Sequence, residues 1–199
     1  MAAHDYVDLD AVLSQLKLED DDPRRSDVQR ALTAASRSID TTCGRRFWLD
    51  ETPVARTYRT HRRTVREADG EVLLIDDLGS IEDLVVETGS GQAWTEVTGT
   101  VETVPENAHA DGRAVTGLLL VGGCWPGGTA RVRVTAQFGW PAVPDDIQQA
   151  TLIQANRLVR RRDSPEGVTG SAEWGVVRLS RRDPDVWNLI EQYVLPGFG

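Results

Sequence analysis

Residues 26–44, SDVQRALTAASRSIDTTCG, hold the clearest element of the chain. Val28, Ala31, Leu32, Ala35, Ile39 and Cys43 recur at spacings of three and four, which puts them on one narrow stripe of an α-helix. Ser26 and Gln29 have capping-box spacing, and Gly44 follows as a C-cap. Arg30, Arg37 and Asp40 fall on the opposite side, where a polar face is expected. A helix with one apolar stripe buries it against a partner, and the flanking sequence supplies several.

Upstream, Leu9, Val12, Leu13 and Leu16 share a face, with Asp8 placed to cap the start. An acidic loop from Glu19 to Pro23 separates this first helix from the second. Downstream the period changes. From about Val54 to Phe138 the chain reads as short β-prone runs: 54–58, 71–75, 81–88, 101–104, 117–121 and 130–138. Asp69-Gly70, Gly89-Ser90-Gly91 and Pro126-Gly127-Gly128 punctuate them as turns. Arg131 and Arg133 alternate with Val132 and Val134, the mark of a strand with one wet and one buried face. After Gly139-Trp140-Pro141 a third helix is expected from Pro144 to about Arg162. Residues 164–175 read as a loop, 176–179 as a short strand, and Asp183-Pro184 as the start of a last helix carrying Val186, Leu189, Ile190 and Tyr193. The expected fold class is α+β, a helical core of about four helices with a central antiparallel β insertion. Residues 1–50 and 140–199 supply the helical core and tail, and 51–139 the β-rich insertion.

At 199 residues, 40% of them hydrophobic and 27% charged, the chain has enough apolar material for a core. No signal-peptide pattern and no apolar run of ~18 residues is visible, so the chain is expected to remain in the cytoplasm where it is made, away from membranes. Cys43 and Cys124 are expected to be reduced, mostly packed thiols. The net charge of −9 argues against tight nucleic-acid binding, because phosphate contacts supply most of that affinity. Only Lys17 among the 22 basic residues is lysine, a bias that a GC-rich coding genome produces.

Motifs of catalysis or ligand binding are missing: no Walker loop, GxGxxG, HExxH or CxxC. His4, His61 and His109 lack ligand spacing. Glu19, Asp20, Asp21 and Asp22 stand side by side and end in proline, unlike the alternating ligands of a calcium loop. Cys43 continues a buried stripe, where a thiol stays protonated and inert. Glycines around Cys124 and Trp125 fall between two strands and read as a hairpin loop. No cofactor is implied.

Several runs, in order and at their separations, resemble those of tailed-phage head-to-tail connector (adaptor) proteins. They are Tyr6-Val7-Asp8-Leu9-Asp10-Ala11-Val12-Leu13, Ala34 to Asp40, Cys43-Gly44-Arg45-Arg46-Phe47, Phe138-Gly139-Trp140-Pro141, Val143 to Ile147 with Ala150, and Arg160-Arg161-Arg162-Asp163-Ser164-Pro165-Glu166-Gly167. They cover the first quarter of the chain and the region 130–168; the middle carries none. The resemblance implies a structural subunit of the virion neck, assembled in the host cytoplasm. It implies a ring, dodecameric in many relatives, that docks under the portal, carries the next neck or tail protein and lets DNA pass without sequence-specific binding.

Two sets of residues are expected to serve such a ring. The third helix is apolar on several sides, so Ile147, Leu152, Ile153 and Val159, with Arg160, Arg161 and Arg162, are candidates for a subunit or portal interface. Arginines crowding a helix end also complement its dipole, and partner contact or structure is preferred to DNA binding for them. Glu19, Asp20, Asp21 and Asp22 are candidates for an acidic lumen that repels phosphates. A tail-completion or stopper protein of the neck is the alternative in the same class. From other classes come a small-molecule-binding β-domain, in which Trp94, Trp125 and Trp140 line a pocket, and a DNA-binding regulator.

Overall fold

The apolar stripe of residues 28–43 forms the centre of a helical unit. The computed structural model of the chain describes residues 4–163, 168–169, 177–178 and 183–196. Among these are four α-helices, α1 (Leu9–Leu16), α2 (Arg25–Cys43), α3 (Asp145–Asp163) and α4 (Pro184–Ile190). The chain divides into two units: residues 1–47 with 143–199, and residues 48–142. No helix of the described residues is long and apolar enough to cross a membrane.

In the first unit Val28, Leu32 and Ala35 of α2 pack with Val12 and Leu13 of α1 and Ala155 of α3. Burying several such side chains at about 1.5–3 kcal/mol each is what offsets the entropy of fixing three helices. α2 starts before the expected capping box. The Asp22 carboxylate accepts the Arg24 N–H at 2.8 Å, and the Asp22 carbonyl accepts the Arg25 N–H at 2.9 Å. The turn Asp22-Pro23 thus enters the helix directly, Ser26 lies inside the first turn, and Gln29 donates instead to Asp5 at 2.6 Å. Asp8 holds the N-cap position of α1 without a side-chain hydrogen bond. Gly44 caps α2 with φ +67°, as the sequence predicts, and Asp183 caps α4 by accepting from the N–H groups of Asp185 and Val186.

The expected polar side of α2 proves partly enclosed. Arg37 and Asp40 are half-buried beneath Tyr6. The Tyr6 hydroxyl donates to the Asp40 carboxylate and accepts the Phe47 N–H at 2.9 Å. The Phe47 ring is fully buried and meets both Tyr6 and Tyr193 edge-on, with centroids 5.8 and 5.4 Å away. Next to it the Leu195 N–H donates to the Cys43 carbonyl at 2.9 Å. Both ends of the described chain are thereby tied to the end of α2. Burial raises the pKa of Asp40 and of Tyr6, the usual response to desolvation.

The second unit is a seven-stranded, wholly antiparallel sheet: β1 (Val54–Tyr58), β2 (Thr64–Arg66), β3 (Gly70–Ser90), β4 (Ala93–Glu96), β5 (Val101–Val104), β6 (Val115–Val121) and β7 (Arg131–Phe138). A final pair, β8 (Val168–Thr169) and β9 (Val177–Arg178), lies in the first unit, with β8 inside the stretch expected to be a loop. The path runs β1-β7-β3-β6-β5. Where two strands were expected, 71–75 and 81–88, one strand of 21 residues runs through. Leu78 explains it: this residue pairs with Val115 of β6 and with Phe138 of β7. The expected gap is therefore the one place where β3 is bonded on both edges by its two long neighbours, and register shifts on either side of Leu78 absorb the bend. β2 and β4 escaped the sequence reading because each is a three- or four-residue edge strand without alternation. Alternate residues of β7, Val132, Val134, Ala136 and Phe138, are fully buried, matching the alternation seen in the sequence.

The sheet begins and ends at one place. The Asp50 N–H donates to the Phe138 carbonyl and the Gly139 N–H to the Asp77 carbonyl, both at 2.8 Å. The Trp140 indole donates to the Asp77 carboxylate at 3.1 Å. Gly139 has φ +114°, and a Cβ there would stand 1.9 Å from the Trp48 carbonyl oxygen. No side chain fits.

Gly139→Ala is predicted to cost about 3 kcal/mol or more in urea unfolding, from strain plus collision. Gly127→Ala, at a site with nothing within 4 Å and no positive φ, should stay within about 0.5 kcal/mol. Tyr6→Phe strands the Phe47 N–H and one carboxylate oxygen, and is predicted to lower stability by about 1–3 kcal/mol with the denaturant slope unchanged.

Candidate assembly surfaces

α3 is enclosed on several sides by its own unit, since α1, α2 and α4 all pack against it. Ile147, Ala150, Thr151 and Ala155 are fully buried, and Leu152 and Val159 lie half-buried against the α1–α2 core. Ile147 thus has no surface to offer outside its unit, and the many-sided apolar pattern is accounted for largely by neighbouring helices. Ile153 is half-buried, while Arg160 and Arg161 are exposed. The side chain of Arg162 lies outside the described residues, as do residues 181 and 182. Arg157 pairs with Asp183 across 3.6 Å, where it closes one side of a cavity of about 200 Å³ between α2, α3 and α4.

Of the four acidic candidates, Glu19, Asp20 and Asp21 are exposed and Asp22 is half-buried. Asp22 is engaged by Arg24, whose side-chain hydrogen bond lowers its pKa, and Asp20 by Arg25 at 3.3 Å. Glu19 and Asp21 have no ion pair among the described residues. The loop presents a negative surface, part of it neutralised locally.

Cys43 is buried, and burial pushes its thiol up to about 11, so it stays protonated. Cys124 is exposed, contrary to the packed position expected of it; it sits on the β6–β7 connection and takes a hydrogen bond from Arg66. The three tryptophans are separated by role. Trp125 is buried, with its indole donating to the carbonyls of Glu71 and Leu118. Trp140 is tied to Asp77, and Trp94 lies under the Arg133 guanidinium at 4.3 Å, itself paired bidentately with Glu87 at 2.6 Å. Each is held by its own partners in the sheet unit. Among the described residues no three His, Cys, Asp or Glu side chains gather as a metal site.

The sheet displays a charge pattern that the sequence reading passed over. Between Glu51 and Glu67 there is no acidic residue, and five arginines, Arg56, Arg59, Arg62, Arg63 and Arg66, occur there with His61. Their absence of counter-charge was the available signal. The turn joining β1 to β2 is held at Thr60, whose hydroxyl donates to the Pro126 carbonyl at 2.9 Å while its carbonyl accepts the Arg63 N–H at 3.0 Å. Arg62 takes a left-handed conformation at the tip, φ +61°. Arg56 and Arg63 are spoken for by Asp76, at 2.8 and 3.9 Å, but Arg59, His61 and Arg62 are exposed and make no side-chain contact of this kind. On the same unit a cleft of about 440 Å³ is lined by Glu67, Asp69, Glu102, Glu106 and Asp111, with Arg113 beside them. None of these carboxylates has an ion pair among the described residues.

No family model matches the sequence, and no curated protein matches it. Solved structures do. A chain in the neck of an empty gene transfer agent (GTA) particle, computed with C6 symmetry, superposes with a TM-score of 0.57 at 16% identity, over 98% of this chain and 92% of that one. A chain in the virion of the native particle gives 0.54 at 15% identity, with the same coverage. The likeness is one of fold, and it takes in the β-rich unit as well as the helices that carry the resemblance to phage connector proteins.

Proposed function

We propose that the chain is a structural head-to-tail adaptor, a subunit of a ring that sits under the portal of a tailed phage or phage-like particle, joins capsid to tail and lets DNA through. One observation carries the reading: a chain in a particle neck has this fold from end to end, helices and inserted sheet together. The sequence runs that resemble connector proteins, most of them in the helical unit, point the same way. That neck was computed with six-fold rotational symmetry, which agrees with a ring.

The physical chemistry of the surfaces fits this role. A ring closes through two different, complementary faces on each copy. Among the described side chains of the predicted interface set, Arg160 and Arg161, exposed at the end of α3, and half-buried Ile153 remain once the residues packed inside the unit are taken away. A DNA channel is best lined by negative charge, because duplex DNA carries roughly one phosphate charge per 1.7 Å and slides past a surface that repels it. Glu19 and Asp21 are the members of the acidic loop free to supply it. Partners are then a second copy of the chain, the portal, and the next neck or tail protein, with the virion neck as the final location.

A stopper one layer further down is the competing role, and binding order separates the two. Immobilised portal should retain the purified chain while immobilised tail-terminator protein does not. Retention by the terminator alone would move the chain to the lower layer; retention by neither would remove it from the neck.

A further inference from the structure

We infer that the Arg59–Arg62 turn docks into the acidic cleft of a second copy of this chain, giving the inserted sheet a head-to-tail contact of its own. The inference rests on the ring reading above and deepens it by naming a pair of surfaces.

The turn is built as a displayed cation group. Thr60 pins its base to the Pro126 carbonyl, the Leu74 N–H holds the Arg63 carbonyl at 2.7 Å, and Arg62 is fixed at the tip in a left-handed conformation. A surface held in place before contact loses less entropy on binding. Arg59, His61 and Arg62 project from it with no counter-charge, on a chain whose net charge is −9. The cleft is its complement in sign, with Glu67, Asp69, Glu102, Glu106 and Asp111 against one arginine, Arg113. Its loop is also folded back on itself, with the Arg113 N–H on the Ala108 carbonyl at 2.7 Å and Ala108 buried.

Within one copy the two groups do not satisfy each other: no ion pair joins Arg59 or Arg62 to any of these carboxylates. The turn joins β1, the first strand of the sheet order, to β2; Glu67 and Asp69 follow at the other end of β2, and Glu102, Glu106 and Asp111 lie on or after β5, the last strand. A heterologous ring requires two different, complementary patches on every copy, and surfaces of opposite charge are one way to meet that need. Duplex DNA is the competing polyanion for the turn, but among the described residues only two arginines, Arg59 and Arg62, are uncommitted there. So few contacts give weak, salt-sensitive phosphate binding, whereas the cleft offers carboxylates in a fixed concavity.

Paired cysteines test the contact without requiring a closed ring. Arg62→Cys and Glu106→Cys are placed in separate chains on a Cys124→Ser background, mixed, and oxidised mildly; Arg59→Cys with Asp111→Cys is a second pair should one variant fold poorly. The mixed disulfide should exceed either homodimer by roughly tenfold at low salt and fall to the statistical share at about 1 M salt, where the screening length is about 3 Å. Statistical yields from both pairs at low salt would overturn the contact. So would salt-dependent binding of a duplex oligonucleotide that is lost in Arg59→Glu/Arg62→Glu while neither pair cross-links, which assigns the turn to phosphate. The ring reading is scored separately: wild-type chain that adds a ring to portal without the cross-link sinks only this contact, and cross-linking without any ring leaves the contact and sinks the ring.

Discussion

The approach of Gly139 to the Trp48 carbonyl is the constraint on which the inserted sheet depends. The strand that leaves the sheet must pass where the entering strand begins, at a distance that admits no side chain and with a backbone angle reserved for glycine. Asp77 fixes the crossing from the other side, accepting the Gly139 N–H on its carbonyl and the Trp140 indole on its carboxylate. With the two ends held together, the sheet is a closed insertion that a helical unit can carry between α2 and α3. β3 then acts as the spine, bonded at Leu78 to β6 and β7 at once.

A second knot organises the helical unit, and the two have something in common. Tyr6, Asp40, Cys43, Gly44 and Phe47 meet at the end of α2, and Phe138, Gly139 and Trp140 meet at the end of β7. These are the residues whose order along the chain resembles connector proteins. They specify how each unit closes, which accounts for a recognisable pattern in a chain whose sequence shows no catalytic motif.

Much of this was legible in the residues. Regular periodicity revealed α2 and β7 nearly to their ends, and Gly44, Asp183 and Pro184 marked helix boundaries through local chemistry alone. The failures share a cause: tertiary contacts that short-range pattern does not record. Ser26 had the spacing of a cap, but Asp22 and Pro23 had already started the helix. Asp76 to Ser80 looked like a break, yet bonding on both edges kept β3 extended through it. Arg37 and Asp40 looked wet because nothing local announces that Tyr6, thirty-four residues from Asp40, covers them. Apolar residues of α3 suggested an interface where the unit's own helices cover much of them. The unpaired arginines of residues 59–62 went unnoticed because the charge of the whole chain pointed the other way.

The two units are each closed by a small set of crowded residues, and the charged surfaces left outside them are what the proposed ring would use for assembly. Electron microscopy of purified portal mixed with the wild-type chain addresses this most directly. Class averages should show one further ring of density, rotationally symmetric about the portal axis and with an open channel. Portal particles that remain unchanged at saturating concentrations of the chain would contradict the account.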